Sequence, residues 1–223
     1  MGKKWRTRII GLILIGCVGC NPLTAPFFFM YGSQSKHFAE FKLVQNRRTP
    51  VTVVVLTSYK GYVPEEFIGV ERTLSSLFDQ KLVECAALNS EVIKFIPIPK
   101  VEKYKSETPG WETQHPSLIG EHFKADFVID LTITSMSMFD QGARHLYVGR
   151  GSISVEVYDA KKADSEPVFN SEYTCEFPPG RPVESSEMPI AKFRLGFLRR
   201  MATDLAWKFS DHLVEETYGR NDF

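Results

Sequence analysis

The 223-residue chain has no surplus of charge of either sign: 27 Lys and Arg stand against 27 Asp and Glu. Without a basic excess it lacks the electrostatic footprint of a nucleic-acid binder. Cysteine is scarce, with four in all. One C-x-x-C pair, Cys17 and Cys20, has no second ligand pair at similar spacing, so half of a zinc site is missing. No apolar run approaches the roughly 20 residues a membrane-spanning helix needs. Ser58, Ser117 and Ser135 do not sit in a G-x-S-x-G elbow. The "GRGS" at Gly149–Ser152 lacks a Lys-Ser/Thr ending and leads into a strand, leaving no helix N-terminus for a phosphate. Repeats and low-complexity tracts are absent. What remains is a globular composition, 43% apolar and 24% charged, long enough for one domain with a real core. Its 17 Phe need that core, or a partner, to cover them.

The N-terminus is distinctive. "MGKKWRTR" is basic with no acid, "IIGLILIG" is a short apolar run, and Cys17 follows. A basic head, a short apolar stretch and small residues before a cut form a secretory signal. Its end resembles a bacterial lipobox: Leu14, Ile15, Gly16 and Cys17 fit, whereas Cys20 would have Cys17 in the Leu position. In such signals the Cys thiol takes diacylglycerol and becomes the new N-terminus, and two or three acyl chains anchor firmly where one is marginal. Cys17 is the expected lipidation site and Cys20 the alternative. A plain cleaved signal, an uncleaved anchor and a redox pair are the competing readings. Cutting before Cys17 leaves 23 basic residues against 27 acidic ones, a mildly acidic exported body.

Residues 1–16 are therefore read as signal, 17–50 as tether and lead-in, 51–217 as the domain and 218–223 as a tail. "FFFMY", residues 27–31, is read as packing on the domain, with dipping into the membrane as the alternative. Val51–Leu56 reads as a strand buried on both faces. A helix is expected over about 64–88, with Phe67, Val70, Leu74, Leu77, Phe78, Leu82 and Cys85 as its apolar stripe. "EVIKFIPIPKVEKY" reads as an edge strand broken by Pro97 and Pro99. A short helix follows over 116–124, then strands in "ADFVIDLTITSMSMF", "LYVGRGSISVEVYDA" and "PVFNSEYTCEF". A last helix is expected over about 190–216, with Ile190, Phe193, Phe197, Met201, Leu205, Phe209 and Leu213 facing the core. The order β-α-β-α-β-β-β-α implies one α/β (α+β) domain, a mixed sheet of about five strands with helices packed on it.

Lys124-Ala125-Asp126-Phe127 and Tyr158-Asp159-Ala160 resemble two elements of a superfamily of envelope lipoproteins and periplasmic domains. It includes the curli-secretion lipoprotein, the lipoprotein activator of penicillin-binding proteins and the N-terminal domain of the Tol-system propeller protein. The "KKADSE" after the second element lacks the usual Gly. The resemblance covers roughly Val51–Glu216. It implies this fold and a role in binding other proteins, and it carries no catalytic residues to transfer.

Other candidates read as structural. His115 and His122 lie seven apart but read as surface residues, and no ligand spacing in the sequence joins His37, His145 or His212 to another His. Glu65, Glu66 and Glu71 suit the positive end of a helix better than a hydrolase. Gly149 and Gly151 read as a bulge or twist point in a strand. Cys85 and Cys175 could form a disulfide in an exported chain, or serve as small core residues. No metal or cofactor is expected. The reading is an exported, lipid-anchored, periplasm-facing cell-envelope protein, held to a membrane by its acyl lipid and binding another envelope protein without catalysis. The alternative is a subunit of an oligomeric outer-membrane secretion pore, and the third is an envelope enzyme. Val18 and Asn21, neither of them Asp, point to the outer rather than the inner membrane.

Overall fold

The computed structural model describes residues 34–46, 49–140, 142–162 and 166–215. Strand β1 (Gln34–His37) pairs with β8 (His212–Glu215) in a two-stranded ribbon. Residues 34–37 and 213–215 belong to a small unit, and residues 38–212 form a larger one. The larger unit carries the sheet.

That sheet grows from β2 (Val51–Tyr59), whose residues Val53–Thr57 are all buried. A strand covered on both faces needs apolar, β-branched side chains in both directions. β2 lies between two parallel neighbours, β3 (Ile93–Phe95) and β4 (Phe127–Asp140). β4 then pairs antiparallel with β5 (Ala143–Asp159), and β5 with β6 (Phe169–Phe177). The order is β3-β2-β4-β5-β6, and β7 (Val183–Glu184) pairs with the start of β5. The expected mixed sheet with helices packed on it is present.

Helices cover both faces. α1 (Val70–Leu88) and α4 (Ile190–Trp207) lie on the larger core, where Leu74, Phe78, Leu82, Phe193, Phe197, Met201 and Leu205 are fully buried. Fully burying each such side chain stabilises by about 1.5–3 kcal/mol. On the opposite face α2 (Ile98–Glu107) and α3 (Pro116–Phe123) cover a smaller cluster: Val54, Leu56, Val101, Ile119, Val128 and Tyr158. Leu43 and Val44, from the lead-in, are buried in the larger core.

Three elements depart from expectation. The helix expected from residue 64 is split: Glu65–Phe67 form a 3₁₀ turn, and Gly69, at φ 75°, breaks the path before α1 starts. Only Gly adopts that left-handed geometry without strain. The second departure is α2, in what reads as strand. Pro97 caps it and Pro99 occupies its first turn, where a missing N–H does no harm. The third is the last helix, which stops at Trp207. Asn89 Nδ2 donates to Ser210 Oγ and to the Asp211 carbonyl at 2.7 Å, and Asp211 Oδ1 accepts the Ala39 N–H. These bonds hold residues 210 and 211 out of the helix, and Leu213 lies in β8.

Candidate functional site

The residues that carry the lipoprotein resemblance meet at one joint. α3 ends at Lys124, in the left-handed conformation at φ 53°, and the chain turns into β4. The Asp126 carboxylate accepts the Thr52 N–H at 2.8 Å, and Lys161 Nζ lies 2.8 Å from its other oxygen. The backbone of Asp126 donates to Thr52 O and accepts from Ala160 N. One residue thus ties the start of β2, the start of β4 and the end of β5. The Lys161 hydrogen bond first, then the Thr52 N–H, hold its carboxyl below the usual range. Ala160 closes the joint: a Cβ placed on Gly120 of α3 would lie 2.6 Å from both Ala160 Cβ and Val128 Cγ2. Asp159 Oδ1 accepts the Lys161 N–H and begins the turn out of β5.

A row of polar side chains continues from this joint across the α2–α3 face. Asp130 on β4 stands directly opposite Glu156 on β5, so two carboxyl groups sit side by side on one face. Burial, with the Glu156 carboxylate beside it, pushes Asp130 up to about 6. Tyr158 donates its hydroxyl to Glu156 Oε2 at 2.6 Å. Burial, and then that hydrogen bond, push the phenol well above its usual range. The His115 ring stands edge-on to Tyr158 at 5.2 Å, and its Nδ1 lies 2.7 Å from Ser117 Oγ. Lys105 Nζ donates to Thr57 O at 2.9 Å, pairs with Glu102 and sits 4.7 Å from the Trp111 ring. The row bonds α2 to the sheet through Lys105, packs His115 of the α3 start on Tyr158, and holds Asp130 with its carboxyl raised to about 6. Among the described residues no group of three or more His, Cys, Asp or Glu could hold a metal ion.

The sequence-level candidates are scattered. The signal, Cys17, Cys20 and "FFFMY" lie outside the described residues. Cys85, buried on α1, and Cys175, half-buried on β6, are free thiols. His122 packs against Tyr104 and Phe123 rather than joining His115. Glu65 and Glu66 lie in the 3₁₀ turn and Glu71 in the first turn of α1. Gly149 and Gly151 serve a close approach: added Cβ atoms would lie 2.7 Å from the Phe197 ring and 2.8 Å from Met201 Cε. The β4–β5 pairing shifts register between Ile133 and Ser135, between Ser137 and Phe139, where Val148 and Gly149 lie between the paired Tyr147 and Arg150 as the expected bulge requires, and between Phe139 and Asp140. The Asp130–Glu156 pair escaped the sequence reading. Its signal was a carboxyl at a polar position in each of two neighbouring apolar strands, and cross-strand register is needed to bring them together. Asp79 escaped too: on α1 its Oδ1 is buried without a hydrogen-bond partner, and burial pushes it up to about 8.

No family model matches the chain, and no curated protein matches it. Among solved structures it is similar to a hypothetical protein from Chlamydia trachomatis, at a TM-score of 0.41 and 14% identity over 71% of this chain and 96% of that one. It is similar to a lipoprotein from Neisseria meningitidis at a TM-score of 0.41, with 13% identity over 70% and 97%. It is also similar to PelC from Paraburkholderia phytofirmans, solved as a dodecamer, at a TM-score of 0.41 and 10% identity over 78% and 98%. The neighbours include a lipoprotein, and at such scores the likeness assigns this chain neither a family nor a function.

Proposed function

We propose that the chain is a lipid-anchored protein of the bacterial cell envelope whose domain is a non-catalytic, protein-binding accessory module facing the periplasm. The observation that carries this reading is Leu14-Ile15-Gly16-Cys17 after a basic head and a short apolar run. A thiol is the right nucleophile for a thioether to diacylglycerol, and a hydroxyl is not. None of the helices among the described residues is long and apolar enough to cross a membrane. The motif residues act as a structural joint rather than a reaction centre, since Asp126 and Tyr158 are engaged by backbone and neighbouring side chains. Binding through a surface is what such a domain offers. Neither Val18 nor Asn21 is the Asp that retains lipoproteins at the inner membrane, which supports an outer-membrane address.

Metabolic labelling with an alkyne fatty acid tests the anchor. The wild type and the Cys20→Ser variant should carry label and sediment with membranes, and Cys17→Ser should lose both. Loss only in Cys20→Ser moves the modified residue to Cys20. Label in none of the three chains removes the lipoprotein reading.

A further inference from the structure

β6 closes one side of the sheet. Among the described residues no strand pairs with its outer edge. An edge strand carries a row of unpaired N–H and C=O groups, and proteins blunt such edges with charged side chains, Lys above all, with Pro, bulges or very short strands. β6 carries two exposed carboxylates, Glu172 and Glu176, and none of the other devices. It is nine residues long, its sequence FNSEYTCEF holds no Lys, Pro or Gly, and its pairing with β5 runs without a register shift from Phe169 to Phe177. Its outward side chains, Asn170, Glu172, Thr174 and Glu176, are all exposed. The inner ones are fixed from behind: Tyr173 donates to Asp204 of α4 at 2.9 Å, and Lys208 Nζ donates to Ser171 Oγ. Among the described residues of the lead-in, Glu40 and Phe41 meet this strand through their side chains, and the backbone N–H groups of Phe41 and Ala39 go to Lys208 O and Asp211 Oδ1.

We propose that this edge is a self-association surface: β6 pairs antiparallel with β6 of a second copy, about a two-fold axis through Tyr173. The charges on the strand select that register. Centred on Tyr173, Glu172 faces Thr174 of the second copy, Glu176 faces Asn170, and Phe169 faces Phe177, so all nine residues pair and no carboxylate meets another. Sliding by two residues one way sets Glu172 against Glu172. Sliding by two the other way sets Glu172 against Glu176 twice. Like charges directly opposite are destabilising, and slips by one residue put side chains on the wrong face. The centred register keeps α4 of both copies on one face and joins the two sheets into one. An isologous contact of this kind closes at a dimer and offers no further edge at β6. The surface uses residues 169–177 alone, so it stands whether or not Cys17 carries lipid.

The test uses the full chain in detergent, with its mass taken by sedimentation, and three variants at exposed positions. Thr174→Glu creates two Glu–Glu oppositions and should weaken dimerisation at least about tenfold. Thr174→Lys sets an ammonium against Glu172 of the second copy and should tighten it. Glu172→Cys combined with Thr174→Cys should give an inter-chain disulfide under diamide, whereas the wild type and each single variant should not cross-link at this strand. Melting temperatures show whether each variant folds, and the Lys and Cys variants keep the test open if Thr174→Glu does not. A monomeric wild type at high micromolar concentration overturns the proposal. So does a dimer indifferent to Thr174→Glu, a double-Cys variant that stays uncross-linked, or capture by β6 of a different envelope protein in place of a second copy.

Discussion

Asp126 accepts the backbone N–H of Thr52 at 2.8 Å, binding together two strands that are parallel neighbours in space and 74 residues apart in the chain. Hydrogen bonds to a charged group contribute about 1.5–3 kcal/mol. Asp126→Ala should therefore lower stability by about that much, read as a shift in urea midpoint. The folded-state pKa is depressed, so the contribution is full above the unfolded value near 4 and fades as pH falls through the folded one. The gap between wild type and Asp126→Ala should narrow from pH 6 to pH 2.5. A constant gap would mean that the charge is not its source.

Asp130 has the opposite sign. Its folded value, about 6, is above the unfolded value near 4. The native state holds the proton more tightly, so this residue's contribution falls as pH rises from about 4 to about 6 and stays unfavourable above. Asp130→Asn should stabilise relative to wild type by roughly 2 kcal/mol at pH 7.5 and by little at pH 4. Denaturant unfolding at the two pH values decides it; equal effects at both would show that neither burial nor the neighbouring Glu156 raises the Asp130 carboxyl.

The α4 approach to β5 depends on a missing Cβ at Gly149, 2.7 Å from the Phe197 ring. Gly149→Ala should cost about 1–3 kcal/mol through overpacking. Thermal unfolding measures it, and a melt matching wild type would show that the helix can retreat.

Phe197 is fully buried, and Phe197→Ala should cost about 3–5 kcal/mol. Removing the ring also removes the clash. The double variant Gly149→Ala with Phe197→Ala should therefore be more stable than the sum of the single effects allows, by at least about 0.5 kcal/mol. Strict additivity would mean the two positions relax independently.

How far the sequence was readable depended on the range of the signal. Val51–Leu56 and the Phe193/Phe197/Met201/Leu205 stripe are local periodicities, and both became core. The strand order β4-β5-β6 followed from turns between neighbouring apolar runs. Pro97 and Pro99 misled because proline suits both a strand edge and a helix first turn, and only the packing of Val101 on the sheet chooses the helix. The helix end at Trp207 was hidden because Asn89, which competes for Ser210 and Asp211, is 121 residues from Ser210 in sequence. The Asp130–Glu156 pair was hidden for the same reason: opposition across strands is a property of register, not of either segment alone.

The parallel seam between β2 and β4 also sets an order of events. The meander β4-β5-β6 joins strands that follow one another in the chain, so its loop closures are short, while β2 has only the three residues of β3 beside it until its long partner begins at Phe127. Long closures carry more entropy loss and form late. In a chain made from its N-terminus, VTVVVL emerges before either partner: Val51–Val53 wait for Ile93–Phe95, and Val54–Leu56 have no strand beside them until β4 has followed. During that interval an uncharged, β-branched segment is exposed, the composition most prone to pair with other chains. Guarding that one hexapeptide would do more for the yield of folded protein than further stabilising the finished core.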